Sequence, residues 1–210
     1  VAVTGVQTCA LPISLARHER SQHDEAPFRP LEINTVVREA TTQYVDAAIS
    51  KGVDLGFEPN PAPVFVQGDR VGLREMVGNL VDNAVRYTPA GGHVTAKVES
   101  LTEHVRISVE DNGPGIPASD RERVFERFYR GLGTNQEGSG LGLSIVREIA
   151  RLHDAGVRCE DGAGGKGIRF CIDIPKAPEM AEAAAPAGQS GFAGDRKSTR
   201  LNSSHGYISY

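Results

Sequence analysis

The sequence predicts a two-layer α/β sandwich, a mixed and mainly antiparallel sheet packed on three helices. Three observations carry this. Apolar residues recur at helical spacing in three long stretches, and short β-type runs alternate with those stretches. The last four of these runs form two adjacent pairs that can fold back as hairpins. Strands mixed with long helices bury one face of each against the other, and that is the two-layer solution.

The elements follow in order. Ser14 to about Gln22 reads as the tail of a helix, and Pro27 with Pro30 closes the connection after it. Leu31–Ile33 is a short strand. Asn34 then caps a helix to about Lys51, with Val37, Ala40, Tyr44, Ala47 and Ala48 as its buried face. Val53–Phe57 and Val64–Val66 read as strands. Asp69 caps a second helix to about Tyr87, with Leu73, Met76, Leu80 and Ala84 at core spacing. His93–Glu99 and Val105–Glu110 alternate apolar and polar residues and should pair as neighbours. A short helix covers roughly 120–128, a glycine-rich loop follows, and a third long helix runs from about Gly140 to His153. Val157–Glu160 and Ile168–Ile174 make a final hairpin. Residues 176–194, rich in Ala, Pro and Gly, should be a disordered tail.

Both ends of the chain bear an odd relation. Residues 1–13 read forwards and 195–207 read backwards can be encoded by complementary codons at every pair, from Val1 with Tyr207 to Ile13 with Asp195. One DNA segment translated on both strands produces this pattern, and the implied DNA resembles a sequencing-library adapter. Residues 1–13 and 195–210 are therefore expected to be non-native. The expected organisation is 14–26 as a helix end and connection, 27–175 as the domain, 176–194 as the tail, and the whole as a fragment open at both ends.

Setting aside the outer charges Asp195, Arg196, Lys197 and Arg200 moves the net charge from −4 to −6. That acidic balance argues against non-specific binding to nucleic acid or anionic membrane. No apolar run approaches the ~18 residues of a membrane span. Cys159 and Cys171 lie on the two strands of the final hairpin and lack zinc-site spacing, so they are expected to be packed thiols in a reducing cytosol.

Four short blocks concentrate the chemistry. Asn79 and Asn83 lie four apart on one helix face, and Arg86 and Tyr87 continue the stripe. Asp111 closes a strand and opens Asn-Gly-Pro-Gly-Ile, where Gly113 and Gly115 permit close backbone approach and Ile116 can pack on a flat ligand. Arg123–Arg130 holds two phenylalanines among arginines. Gly138-Ser139-Gly140-Leu141-Gly142-Leu143 opens the third long helix, whose free N–H groups favour phosphate oxygens. Taken singly, the first block also fits an ordinary amphipathic helix and the second an ordinary turn. A Rossmann reading of the last block lacks a strand leading into it. Gly162–Gly167 imitates a Walker loop but lacks the Ser/Thr after Lys166, and it reads as a hairpin turn.

In this order and spacing the four blocks resemble the ATP-binding domain of sensor histidine kinases, in the superfamily shared with gyrase, heat-shock chaperone and mismatch-repair ATPases. The resemblance covers about residues 16–175 and implies a sandwich of the histidine-kinase ATPase type. It implies ATP and Mg2+ as cofactors, with Asn83 as the metal ligand and Asn79, Asn83 and Arg127 in catalysis. Nucleotide contacts would come from Asn79, Asn83, Arg86, Tyr87, Asp111, Gly113, Gly115, Ile116, Phe128, Arg130, Gly138, Ser139, Gly140, Leu141, Gly142 and Leu143. Asp111 would accept from the adenine amine, where guanine presents an acceptor, a mismatch costing about 1–3 kcal/mol when buried. Phe125 and Phe128 would anchor a lid over about Gly131–Glu137.

Gyrase-type relatives place a glutamate at the position of Asn79, where it activates water. A carboxamide cannot act as that base, so the resemblance points to phosphoryl transfer. Its partners would be a dimerisation and phosphoacceptor hairpin absent from this sequence, a response regulator, and a second copy in the full-length protein. His18-Glu19-Arg20 echoes the acceptor motif only faintly, and it lies too near Asn79 to leave room for the second hairpin helix. The domain would be cytoplasmic within a parent that can be membrane-anchored. An ATP-binding regulatory module or an anti-sigma-type serine kinase of the same superfamily is the alternative; intact site residues and the phenylalanine block favour the kinase of histidine.

Overall fold

The computed structural model describes residues 28–129 and 140–177. The expected helix tail at 14–22, Pro27, the lid, Arg130, Gly138, Ser139, the tail from 178 and both adapter-like ends lie outside those residues. The elements are β1 (Arg29–Glu32), α1 (Ile33–Thr42), α2 (Val45–Lys51), β2 (Asp54–Glu58), β3 (Phe65–Gly68), α3 (Arg70–Tyr87), β4 (His93–Ser100), β5 (His104–Asp111), α4 (Gly142–Leu152), β6 (Gly156–Asp161) and β7 (Ile168–Pro175).

Strands form a five-stranded sheet in the order β2-β4-β5-β7-β6, parallel only at β2–β4, and a small antiparallel sheet of β1 with β3. Strand alternation sorts the large sheet's two faces. Val94, Ala96, Val98, Val105, Ile107, Val109, Phe170 and Ile172 face one way and are buried beneath the helices. The other face carries a lattice of charges: Asp173 is held by Arg106 and Arg158, and Glu110 by Arg169. The mixed two-layer sandwich is thus the fold, and both expected hairpins form.

Several local expectations are corrected. The first strand ends at Glu32, and Ile33 already belongs to a helix. Glu32, not Asn34, caps α1: its carboxylate accepts from Asn34 N at 3.1 Å and Thr35 N at 2.7 Å. Asn34 instead ties down the loop after β2, its Oδ1 accepting from Asn60 N at 2.9 Å. The expected single helix to Lys51 is two helices, and Ala47 is exposed. Thr41 and Thr42 each donate a hydroxyl to the carbonyl four residues back, at Val37 and Arg38, which loosens a helix where it breaks. In place of the short helix expected over roughly 120–128 there are two single 3-10 turns, Ala118–Asp120 and Arg123–Phe125. Few apolar residues there meet the core: Phe125 packs edge-on to Phe170 at 6.0 Å, whereas Phe128 is 72% exposed at φ +64°.

The two cysteines sit on opposite faces of the sheet, because Cys159 pairs in register with Phe170 and Cys171 with Arg158. They cannot bridge. Burial and the nearby Glu160 carboxylate push the Cys171 thiol up to about 11. Among the described residues no helix is long and apolar enough to cross a membrane.

Candidate nucleotide site

Asp69 starts the site's central helix. Its carboxylate accepts from Val71 N at 3.0 Å and Gly72 N at 2.9 Å, satisfying two orphan donors of the first turn. Leu73, Met76, Leu80 and Ala84 are buried as expected, and so are Val77, Gly78, Val81 and Val85. The helix is therefore wrapped by core on more than one side. The polar stripe of Asn79, Asn83, Arg86 and Tyr87 is a half-buried seam.

That seam meets the start of α4. A Cβ added at Gly142 would sit 3.2 Å from Asn79 Oδ1 and 3.6 Å from Asn83 Nδ2, so both carboxamides converge on the helix N-terminus. Asn79 donates its own Nδ2 to the Glu75 carbonyl at 3.0 Å, which turns its oxygen outward to the seam. Leu141 precedes α4 and gives it no side-chain cap among the described residues. Leu143 and Ile116 are half-buried against the core. Gly140 adopts φ +68°, and its carbonyl accepts from Phe128 N at 2.9 Å, so the described ends flanking the lid meet here.

Arg86 is engaged by Asp82 one turn back in an ion pair. Lys51, unexpected from the sequence, donates to the Val85 carbonyl at 2.9 Å and to that of Arg86, closing the C-terminal end of α3. Burial and the Arg86 charge lower the Lys51 pKa. Tyr87 is half-buried. Arg127 is exposed, and its positive field reaches Glu148 on α4.

Asp111 ends β5 at 5% exposure, with Oδ1 accepting from Gly113 N at 2.9 Å. Burial raises its pKa, while the Gly113 hydrogen bond opposes that rise. The adjacent Asn112 is structural: its Oδ1 accepts from His93 N at 2.9 Å and pins β5 to β4. Gly115 takes φ +75° against the Gly167 carbonyl, 2.9 Å from where a Cβ would lie. Gly167, the last residue of the β6–β7 turn, packs so tightly on the Asp111 main chain that no side chain fits. Its sole sequence signal was a glycine opening a strand.

The arrangement of sheet and helices is that of a histidine kinase catalytic domain. The mycobacterial sensor histidine kinase MprB superposes with a TM-score of 0.64 at 30% identity, over 72% of this chain and 99% of that one. The catalytic domain of histidine kinase ThkA superposes with 0.64 at 31% identity, over 71% and 95%. Residues 68–178 match the family of histidine kinase-, DNA gyrase B- and HSP90-like ATPases, and this chain belongs to it as an ATP-binding catalytic domain. It is 40% identical over 150 residues to the sensor protein kinase PmrB of Pseudomonas aeruginosa, covering 71% of this chain and 31% of that protein. It is also 40% identical over 158 residues to the swarming motility sensor RssA of Serratia marcescens, covering 72% and 34%. The chain thus spans about a third of the length of the relatives it matches.

Proposed function

We propose that this domain positions ATP with Mg2+ for transfer of the γ-phosphoryl to a histidine on a separate helical hairpin, within a dimeric two-component sensor kinase whose parent is membrane-anchored. The convergence of Asn79, Asn83 and Gly142 carries the reading. A carboxamide at Asn79 takes no proton at neutral pH, so it orients and does not activate water.

Asp111 receives the adenine amine and Tyr87 and Ile116 flank the base. The α4 N-terminus holds phosphate oxygens, and Arg127 lends positive charge from the 3-10 turn segment. The donor set suits magnesium, which keeps most of its waters and needs few protein oxygens. Asn83 is its ligand, a half-turn of the carboxamide presenting its oxygen. When bound, the metal neutralises phosphate charge. A response regulator then receives the phosphoryl group.

Labelled ATP tests this. Alone, the chain should bind ATP without labelling itself; with a cognate hairpin dimer in trans it should yield acid-labile, base-stable phosphohistidine. Acid-stable label on serine would favour a serine kinase, binding without transfer a regulatory module, and steady phosphate release a hydrolase.

A further inference from the structure

Helices α3 and α4 run antiparallel, and their contacts march in step. Gly142 lies against Asn79; seven residues up α4, Ile149 lies against Gly72, seven residues down α3; His153 then meets Asp69. The seam that brings the phosphate-binding end to the asparagines therefore has a second fastening, at its far end.

That fastening is one imidazole. The Asp69 backbone N–H donates to His153 Nε2 at 3.0 Å, so Nε2 is an acceptor. Nδ1 therefore carries the hydrogen and donates to the Ile149 carbonyl at 2.8 Å. The ring is 6% exposed, under Phe28 at 4.8 Å. A Cβ at Gly68 would come within 2.8 Å of Cδ2 and 2.9 Å of Nε2, so a glycine is required beside the ring. The N-cap of α3 and the last turn of α4 are thus joined through both ring nitrogens.

We propose that His153 is a positioning residue that sets the axial register of α4 against α3, and so the approach of Gly142 to Asn79 and Asn83. This rests on the nucleotide-site reading above. An α-helix is stiff along its axis, and an eleven-residue helix is about 16 Å long, so a slip at the His153 end arrives undiminished at the phosphate end. Asp111 belongs to the sheet and is not moved by it.

The test compares binding of ATP with Mg2+ and of adenosine to the full chain. His153→Leu should weaken ATP about five- to tenfold, the worth of about one hydrogen bond, with adenosine within about twofold. His153→Gln, which returns an acceptor to the Asp69 N–H, should restore ATP to within about twofold. Gly68→Ala, whose methyl displaces the ring, should repeat the leucine pattern by an independent route. Unchanged ATP binding in the leucine or alanine variant, or equal losses for ATP and adenosine, would overturn the proposal. Should wild type bind neither ligand, the nucleotide-site reading is what fails. The fastening is then read by hydrogen exchange at the Asp69 amide, slow in wild type and fast in the leucine variant; equal rates would overturn it.

Discussion

Asp111 and Gly113 close a two-residue loop in which a nearly buried carboxylate oxygen accepts a backbone N–H at 2.9 Å. The bond aims the carboxylate while Asn112, between them, is occupied with His93. Position is thus set by the main chain, and burial, the main cause of the raised pKa of Asp111, is a cost to the charged form.

A pH dependence follows from that cost. A carboxyl whose folded pKa lies above its unfolded value stabilises the fold at pH below the unfolded value, about 3.9. That contribution is lost as pH rises through the folded value. Asp111→Asn keeps an acceptor for Gly113 and removes the charge. We expect its melting temperature at neutral pH to equal or exceed that of wild type, with a flatter profile between acid and neutral pH. Its ATP affinity should fall at least tenfold. A cooperative transition at much lower temperature would make Asp111 structural and end the adenine assignment.

Asn83→Ala removes the proposed metal ligand from a half-buried seam and touches little of the core. ATP affinity in the presence of Mg2+ should drop more than tenfold by calorimetry, while the loss without metal should be smaller. Equal binding by mutant and wild type would refute the assignment.

The glycines of the β6–β7 turn separate strain from overlap. Gly164 has φ +68° with open space around it, so Gly164→Ala should cost about 1 kcal/mol, the penalty of a left-handed residue. Gly167 has φ +72° and faces the Asp111 carbonyl at a separation no Cβ tolerates. Gly167→Ala should cost about 3 kcal/mol or more and should displace Asp111, lowering ATP affinity as well. Denaturant melts of both variants check the ordering.

Local signals were readable where local physics decides. Asp69 caps α3 through N–H groups two and three residues away, and the alternation in β4 and β5 is read two residues at a time. The final hairpin likewise joins neighbours in sequence. Blocks such as Asn79–Tyr87 and Asp111–Ile116 were legible because few residue types supply carboxamides, a buried carboxylate or glycine turns at those spacings.

What only the tertiary structure decided depends on partners far along the chain. The threonine pair that ends α1 reads as ordinary helix, and Glu32 outcompetes Asn34 as a cap because Asn60, 26 residues on, engages Asn34. Strand β7 lies between β5 and β6, and β2 joins parallel to β4, pairings no local period encodes. The polar stripe of α3 became a seam only because α4 packs along it. His153, 84 residues from the Asp69 amide it accepts, was invisible as a site residue for the same reason: a hydrogen bond across that separation exists only once the core has closed.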